Sequence, residues 1–142
     1  MSRFKNKIVL ITGAGSGIGR STALRLDKEG ATSIVVDMNA EQLKETHLML
    51  ANPESSSRVL DISSLDDAKK CFEEINDKYG RLDALINVAG ILRFDNSHEV
   101  EISNWNKILE VNLTGTFYMC SFGLPMLLES KGCIVNVSST AA

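Results

Sequence analysis

The amino-acid sequence predicts an α/β fold, a doubly wound parallel sheet. Three observations predict it. Short apolar runs alternate with longer amphipathic stretches from end to end, most of the runs are almost continuously apolar, and a glycine-rich turn joins the first run to the first amphipathic stretch. Repeated strand and helix units build a parallel sheet, and strands covered on both faces by crossover helices read as unbroken apolar runs.

The elements follow in order. The five runs are Ile8-Val9-Leu10-Ile11, Ser33-Ile34-Val35-Val36, Ser57-Arg58-Val59-Leu60, Ala84-Leu85-Ile86-Asn87 and Cys133-Ile134-Val135-Asn136-Val137. The spacing predicts a first helix from about Gly17 to Glu29, with Ile18, Ala23, Leu24 and Leu26 as its buried stripe and Gly30 as its stop. A second helix opens at Asn39-Ala40-Glu41-Gln42, a capping-box variant, and fades near Asn52-Pro53. The third opens at Ser63-Ser64-Leu65-Asp66-Asp67, where a serine caps the free amides and the acids favour the positive helix end. Ala68, Cys71, Phe72 and Ile75 repeat along it at helical spacing, and it ends at Tyr79-Gly80. The fourth is read as one long helix, roughly Ile102 to Glu129. Trp105, Ile108, Leu109, Leu113, Phe117, Cys120, Leu124 and Leu128 lie on broadly one side of it, and Pro125 bends its last turns.

Composition bounds the function. The 142 residues make one domain, 1–142, large enough to hide roughly 70% of the unfolded surface. With 44% hydrophobic and 23% charged residues the chain is globular, not disordered. A net charge of −3 without a Lys/Arg cluster argues against nucleic acid and against an anionic membrane surface. Met1 to Lys7 run straight into four apolar residues, too few for a signal-peptide core. Cys71, Cys120 and Cys133 form no Cys-x-x-Cys pair and leave an odd thiol over, as expected of reduced cysteines in the cytoplasm.

The chemistry is concentrated at Thr12-Gly13-Ala14-Gly15-Ser16-Gly17-Ile18-Gly19, between the first strand and the first helix. Glycines there let the backbone approach a pyrophosphate, whose charge is stabilised by unpaired amides and the positive helix end. A bare tight turn is the competing explanation, and Asp37 weighs against it. That acid closes the second strand about 20 residues past the glycines, the place from which a carboxylate binds ribose hydroxyls.

These residues resemble the short-chain dehydrogenase/reductase family, whose glycine motif is Thr-Gly-x-x-x-Gly-x-Gly. Further matches occur in order along the whole chain: Asp61-Ile62 after the third strand, Asn87-Val88-Ala89-Gly90 after the fourth, Val111-Asn112 in the long helix, and Asn136-Val137-Ser138-Ser139 at the end of the fifth strand. The resemblance implies a Rossmann fold with strand order 3-2-1-4-5 and cofactor across the switch point between strands 1 and 4. It implies cofactor contacts from Gly13, Ser16, Gly17, Ile18, Gly19, Asp37, Asp61, Ile62, Asn87, Ala89 and Gly90. It also implies a catalytic Ser139 that holds a substrate oxygen and an Asn112 that supports a proton relay. It implies a secondary alcohol or ketone as the substrate class, and the long helix resembles one that pairs with its counterpart in family dimers, implying a homo-oligomer.

Val88 stands where the family usually has a second asparagine. The family's Tyr-x-x-x-Lys does not occur in the 142 residues, since Tyr79 is followed four residues on by Asp83 and Tyr118 by Phe122. A free tyrosine, with a pKa of about 10, is almost wholly protonated at neutral pH, and a nearby lysine ammonium is what lowers it. The chain therefore reads as a cofactor-binding portion, truncated after the fifth strand at Ala142, that binds without turnover. A non-catalytic binding or interaction module, or a truncated product without function, are the alternatives. The fifth strand is then an apolar edge bearing Ile134 and Val135, which invites association.

Asp37 predicts NAD as the cofactor in preference to NADP. A 2′-phosphate about 4 Å from its carboxylate at an effective dielectric of about 20 is repelled by up to about 4 kcal/mol. Ser16 and Met38 agree, because phosphate-accepting relatives tend to carry Arg or Lys at such places. No metal is expected: His47 and His98 lie far apart with no cysteine pair. Trp105 and Phe117 read as core or subunit-interface residues. Ser139 lacks the Gly-x-Ser-x-Gly turn of a hydrolase nucleophile.

Overall fold

The computed structural model describes residues 2–93 and 98–139. Met1 and Ala142, the ends cited above, lie outside them. The elements are β1 (Ile8–Thr12), α1 (Gly17–Lys28), β2 (Thr32–Asp37), α2 (Ala40–Met49), β3 (Ser56–Val59), α3 (Leu65–Tyr79), β4 (Ala84–Asn87), α4 (Ile102–Leu109), a π-helical segment (Glu110–Gly115), α5 (Thr116–Ser130) and β5 (Cys133–Asn136). The strands form one parallel sheet in the order β3-β2-β1-β4-β5. The register aligns Leu10 with Ile34 on one side and with Leu85 on the other. The doubly wound fold and the strand order are as the sequence implies.

Helices cover both faces. On one, Leu10, Val36, Leu60, Ile75, Leu85 and Met119 belong to a core under α3 and α5. On the other, Val9, Ile11, Ala23, Val35 and Leu43 are buried under α1 and α2. Because β1 and β2 are buried on both sides, all their central residues can be apolar. The caps form as their residue types dictate. The Asn39 side chain accepts the Gln42 N–H at 3.1 Å, and Ser64 Oγ accepts the Asp67 N–H at 3.2 Å. Gly80 ends α3 in the left-handed region at φ 61°, where a side chain is disfavoured.

The long fourth helix departs from its expectation in two ways. It is not one regular helix, because the turn from Glu110 to Gly115 is π-helical, a distortion found often at functional sites. Most of its expected apolar stripe also faces outward, although Cys120 packs against the core. Trp105, Leu113, Phe117, Leu124 and Leu128 are exposed, with Phe117 at 63%, so Trp105 and Phe117 are not core residues. The sheet-facing residues are Val111, Gly115, Met119, Gly123 and Leu127. Two of these are glycines because the approach is close. A Cβ on Gly115 would lie 2.8 Å from Ile62 Cγ1, and one on Gly123 would lie 2.9 Å from Phe72 Cε1. By length and composition alone the stretch Ile102–Ser130 is long and apolar enough to cross a membrane, but one side of it packs on this sheet.

In α1 the stripe is kept in part, with Ala23 buried and Leu26 packed against the core as expected. Gly19, Ala23 and Asp27 are buried, whereas Ile18 is 61% exposed. All three cysteines are free thiols, and burial pushes the Cys71 thiol up to about 11. At the sheet's edge beyond β4, β5 is largely exposed.

Candidate functional site

In a parallel sheet all strands end on the same side, so Thr12, Asp37, Asn87 and Asn136 close their strands along one edge. Between β1 and β4 the order of connection reverses, and neighbouring loops diverge there to leave a crevice. A cleft of about 490 Å³ opens at this point, lined among others by Gly13, Ile18, Asp37, Asp61, Ala89 and Val111. That volume is in the range of small-molecule sites. Ser16, Gly17, Gly19, Ile62 and Gly90 also line it.

The glycine loop shows why its sequence is needed. Gly13 has φ 64°, and a Cβ on it would fall 2.7 Å from the Ala89 backbone nitrogen. A Cβ on Gly19 would lie 2.1 Å from the Gly13 carbonyl oxygen, so helix and turn touch backbone to backbone. Around Gly17, by contrast, there is nothing within 4 Å of a built Cβ. Ser16 precedes α1 in extended conformation, and its side chain does not cap the helix. The first-turn amides of α1, which have no partner within the helix, are therefore left to an anion in the cleft.

Asp37 stands at the mouth of this loop. Its Oδ2 accepts the Gly15 N–H at 2.9 Å and its Oδ1 accepts the Asn39 N–H at 2.9 Å. Asp61 lines the opposite side. Burial works against its ionisation, but the Ser63 hydroxyl at 2.6 Å, the Ser63 N–H at 2.9 Å and the nearby Lys107 ammonium hold its carboxyl below the usual range.

The remaining sequence-identified residues divide. Asn87 is buried and spans the strands, donating from Nδ2 to Asn136 Oδ1 at 2.8 Å; it braces the sheet and is not among the described residues lining the cleft. Asn112 lies in the π-helical segment, and both ends of its amide are engaged by Ile91. Its Oδ1 accepts the Ile91 N–H at 2.8 Å and its Nδ2 donates to the Ile91 carbonyl at 2.8 Å. Ser139 follows β5 by three residues and is exposed.

Sequence reasoning placed Thr12 in the glycine motif without giving it a role, and passed over Arg93 and Lys107. Thr12 is fully buried, and its Oγ1 accepts the Val88 and Ala89 N–H groups at 3.1 Å each. A hydroxyl ending an otherwise apolar buried strand is the signal that could have found it. Arg93 and Lys107 line the cleft with Ile91 and Val111, and no spacing in the chain points to them.

A family model described as short chain dehydrogenase matches residues 7–142. The sequence is 40% identical over 146 residues to a 3beta-hydroxysteroid dehydrogenase of Mediterraneibacter gnavus, covering 99% of this chain and 52% of that protein. It is 36% identical over 139 residues to a meso-2,3-butanediol dehydrogenase of Serratia marcescens, covering 98% of this chain and 55% of that protein. The structure resembles that of an NAD+-bound xylitol dehydrogenase with a TM-score of 0.93 at 31% identity, over 98% of this chain and 55% of the other. A levodione reductase gives a TM-score of 0.90 at 31% identity, over 96% and 55%. The chain thus spans about half the length of the curated relatives it matches.

Proposed function

Because this chain belongs to the short chain dehydrogenase family, we propose that it holds NAD, in preference to NADP, for hydride transfer between a secondary alcohol or ketone and the nicotinamide. The observation that carries the reading is the carboxylate of Asp37 at the rim of a cleft built on a glycine loop and an uncapped helix end. The donor set suits a dinucleotide. Gly13, Ser16, Gly17, Ile18 and Gly19 offer close backbone and amides to the pyrophosphate, Asp37 accepts from the ribose hydroxyls, and Asp61 and Ile62 flank the adenine. Ala89 and Gly90 form the wall beyond, and Asn87 keeps that wall in register. The chemistry supplied by the bound nicotinamide is acceptance or donation of a hydride.

On the substrate side Ser139 orients the reacting oxygen. Asn112 supports the proton relay from a distance, by pinning Ile91 with its amide. No Tyr-x-x-x-Lys occurs in the 142 residues, so on this reading they bind cofactor without turning it over by themselves. The outward apolar face of α4 and α5 belongs to a homo-oligomer contact, for which Phe117→Glu should lower the mass measured by sedimentation. A cytoplasmic setting belongs to the same reading.

The test is calorimetric titration of the chain with NAD and with NADP, using Asp37→Ala as the control. Saturable NAD binding that beats NADP, with the preference lost in the variant, is the expected result. Failure of a demonstrably folded chain to bind NAD, or a preference that survives in Asp37→Ala, would overturn the reading.

A further inference from the structure

Selectivity in the reading above rests on one carboxylate, and that carboxylate is seated by another part of the chain. The bond from the Asn39 N–H to Asp37 is local, two residues along the same turn. The bond from the Gly15 N–H crosses from the glycine loop to the end of β2. Where the carboxylate stands therefore depends on where the Gly15 peptide stands.

The peptide unit that carries this N–H begins at the Ala14 carbonyl, and both that carbonyl and the next one, of Gly15, are gripped. The Gly15 carbonyl accepts from Arg20 Nη2. The same guanidinium donates from Nε to Thr46 Oγ1 at 2.8 Å, and from Nη2 to the Gln42 carbonyl at 3.0 Å and the Glu45 carboxylate at 2.9 Å. Thr46 is fully buried in α2, and its hydroxyl donates to the Ala14 carbonyl at 2.8 Å. Two successive loop carbonyls, Ala14 and Gly15, are thus fastened to α2, the helix that begins three residues after Asp37. Gly15, Arg20 and Thr46 are not among the described residues that line the cleft.

The space around Gly15 points the same way. A Cβ there would lie 2.9 Å from both Cγ and Oδ2 of Asp37 and 3.2 Å from Gln42 Cβ, closer than ordinary contact between carbon atoms. Its φ is not in the left-handed region, so alanine at this position asks no left-handed backbone and acts through its contacts with Asp37 and Gln42.

The geometry points to three further specificity-determining positions: Gly15 seats the Asp37 carboxylate, and Arg20 and Thr46 are positioning residues that hold the Gly15 peptide against it. Discrimination against a 2′-phosphate is then a property of this clasp and not of Asp37 alone. This rests on Asp37 being the ribose-binding acid. A carboxylate released from Gly15 swings toward water, where a dielectric near 80 instead of about 20 weakens its repulsion of phosphate about fourfold.

The experiment titrates the full chain with NAD and NADP in the wild type and in Asp37→Ala, Gly15→Ala, Thr46→Val and Thr46→Ser, with a thermal melt of each. Gly15→Ala and Thr46→Val should reduce the NAD-over-NADP ratio by about tenfold or more, and Thr46→Ser, which keeps the hydroxyl, should stay within about twofold of the wild type. A merely structural role would lower the melting temperature or weaken both cofactors by the same factor, leaving the ratio in place. A wild-type ratio in Gly15→Ala and Thr46→Val, when Asp37→Ala has lost it, overturns the clasp. A wild-type ratio in Asp37→Ala overturns the ribose reading, and the clasp with it. Should Thr46→Val fail to fold, Gly15→Ala decides: a reduced ratio supports the clasp and a retained one overturns it.

Discussion

Thr12 carries more of the site's geometry than its size suggests. Its hydroxyl is the acceptor for two consecutive N–H groups, Val88 and Ala89, so a single oxygen holds the turn after β4 against the end of β1. Thr12→Val keeps the shape and removes that acceptor. Leaving a buried donor unsatisfied costs about 1–3 kcal/mol each, so the variant should melt several degrees lower, and Thr12→Ser should recover most of the loss. Equal melting of Val and Ser variants would contradict the role. Gly19→Ala should be worse tolerated, because its Cβ would meet the Gly13 carbonyl oxygen at 2.1 Å and backbone on both sides cannot yield as a side chain would. The glycines were legible in the sequence because they recur at short spacing within one turn. The work of Thr12 was not, since its partners lie 76 and 77 residues away and only the fold brings them together.

At the scale of the element, the path from α4 to α5 shows where periodicity misleads. Large apolar residues at helical spacing normally mark the buried stripe, yet here they mark the outward one. The sheet-facing side needs small residues, Gly115 over Ile62 and Gly123 over Phe72, and a stripe of small residues has little hydrophobic signal. The π-helical turn was equally hidden, because Glu110–Gly115 carries no proline and Gly115 at its end leads straight into α5 without announcing a break. By contrast α3, with Ala68, Cys71, Phe72 and Ile75 buried as read, packs large residues inward and was plain from spacing. The close approach of Gly115 makes a test. Gly115→Ala gains about 1 kcal/mol of helix propensity but forces Ile62 aside, and overpacking costs about 1–3 kcal/mol. The net should be a loss of up to about 2 kcal/mol in urea denaturation, with weaker cofactor binding because Ile62 lines the cleft. A variant more stable than wild type with unchanged binding would show that the helix can retreat from the sheet freely.

The whole molecule divides its labour between the two ends of one sheet. The carboxyl edge holds the cleft, where amides and glycine backbone are left for a ligand; the alternation of elements made the parallel sheet legible, and the strand order that creates the cleft came from the family resemblance of the motifs. The amino end is closed by ion pairs, of which Arg81 with Asp83 and Arg25 with Glu29 are local, while Lys7 with Asp83 and Arg3 with Glu29 join residues far apart and so left no local pattern. There the buried Asp83 carboxylate accepts from Arg81 Nε at 2.9 Å, Lys7 Nζ at 2.9 Å and the Ile8 N–H at 3.0 Å. Glu29 is bound by Arg3 and Arg25. Burial works against ionisation of Asp83, but these bonds hold its carboxyl down at about 2, and the hydrogen bond from Arg3, then that from Arg25, holds Glu29 at about 2. Unfolded carboxylates titrate near about 4. A carboxyl lowered on folding contributes stability that is fully present above its unfolded pKa and is lost as pH falls through its folded one. Both groups should therefore support the fold undiminished at neutral pH, and withdraw that support between about pH 4 and about pH 2. Urea midpoints measured at pH 7, 4, 3 and 2 should fall steeply over that window in the wild type. Asp83→Asn should start lower at pH 7 and fall less, because it has removed one of the groups that must take up a proton. Parallel curves for the two proteins would mean that the acid transition is driven from elsewhere, and that the Asp83 pairs do not hold the amino end of the sheet together.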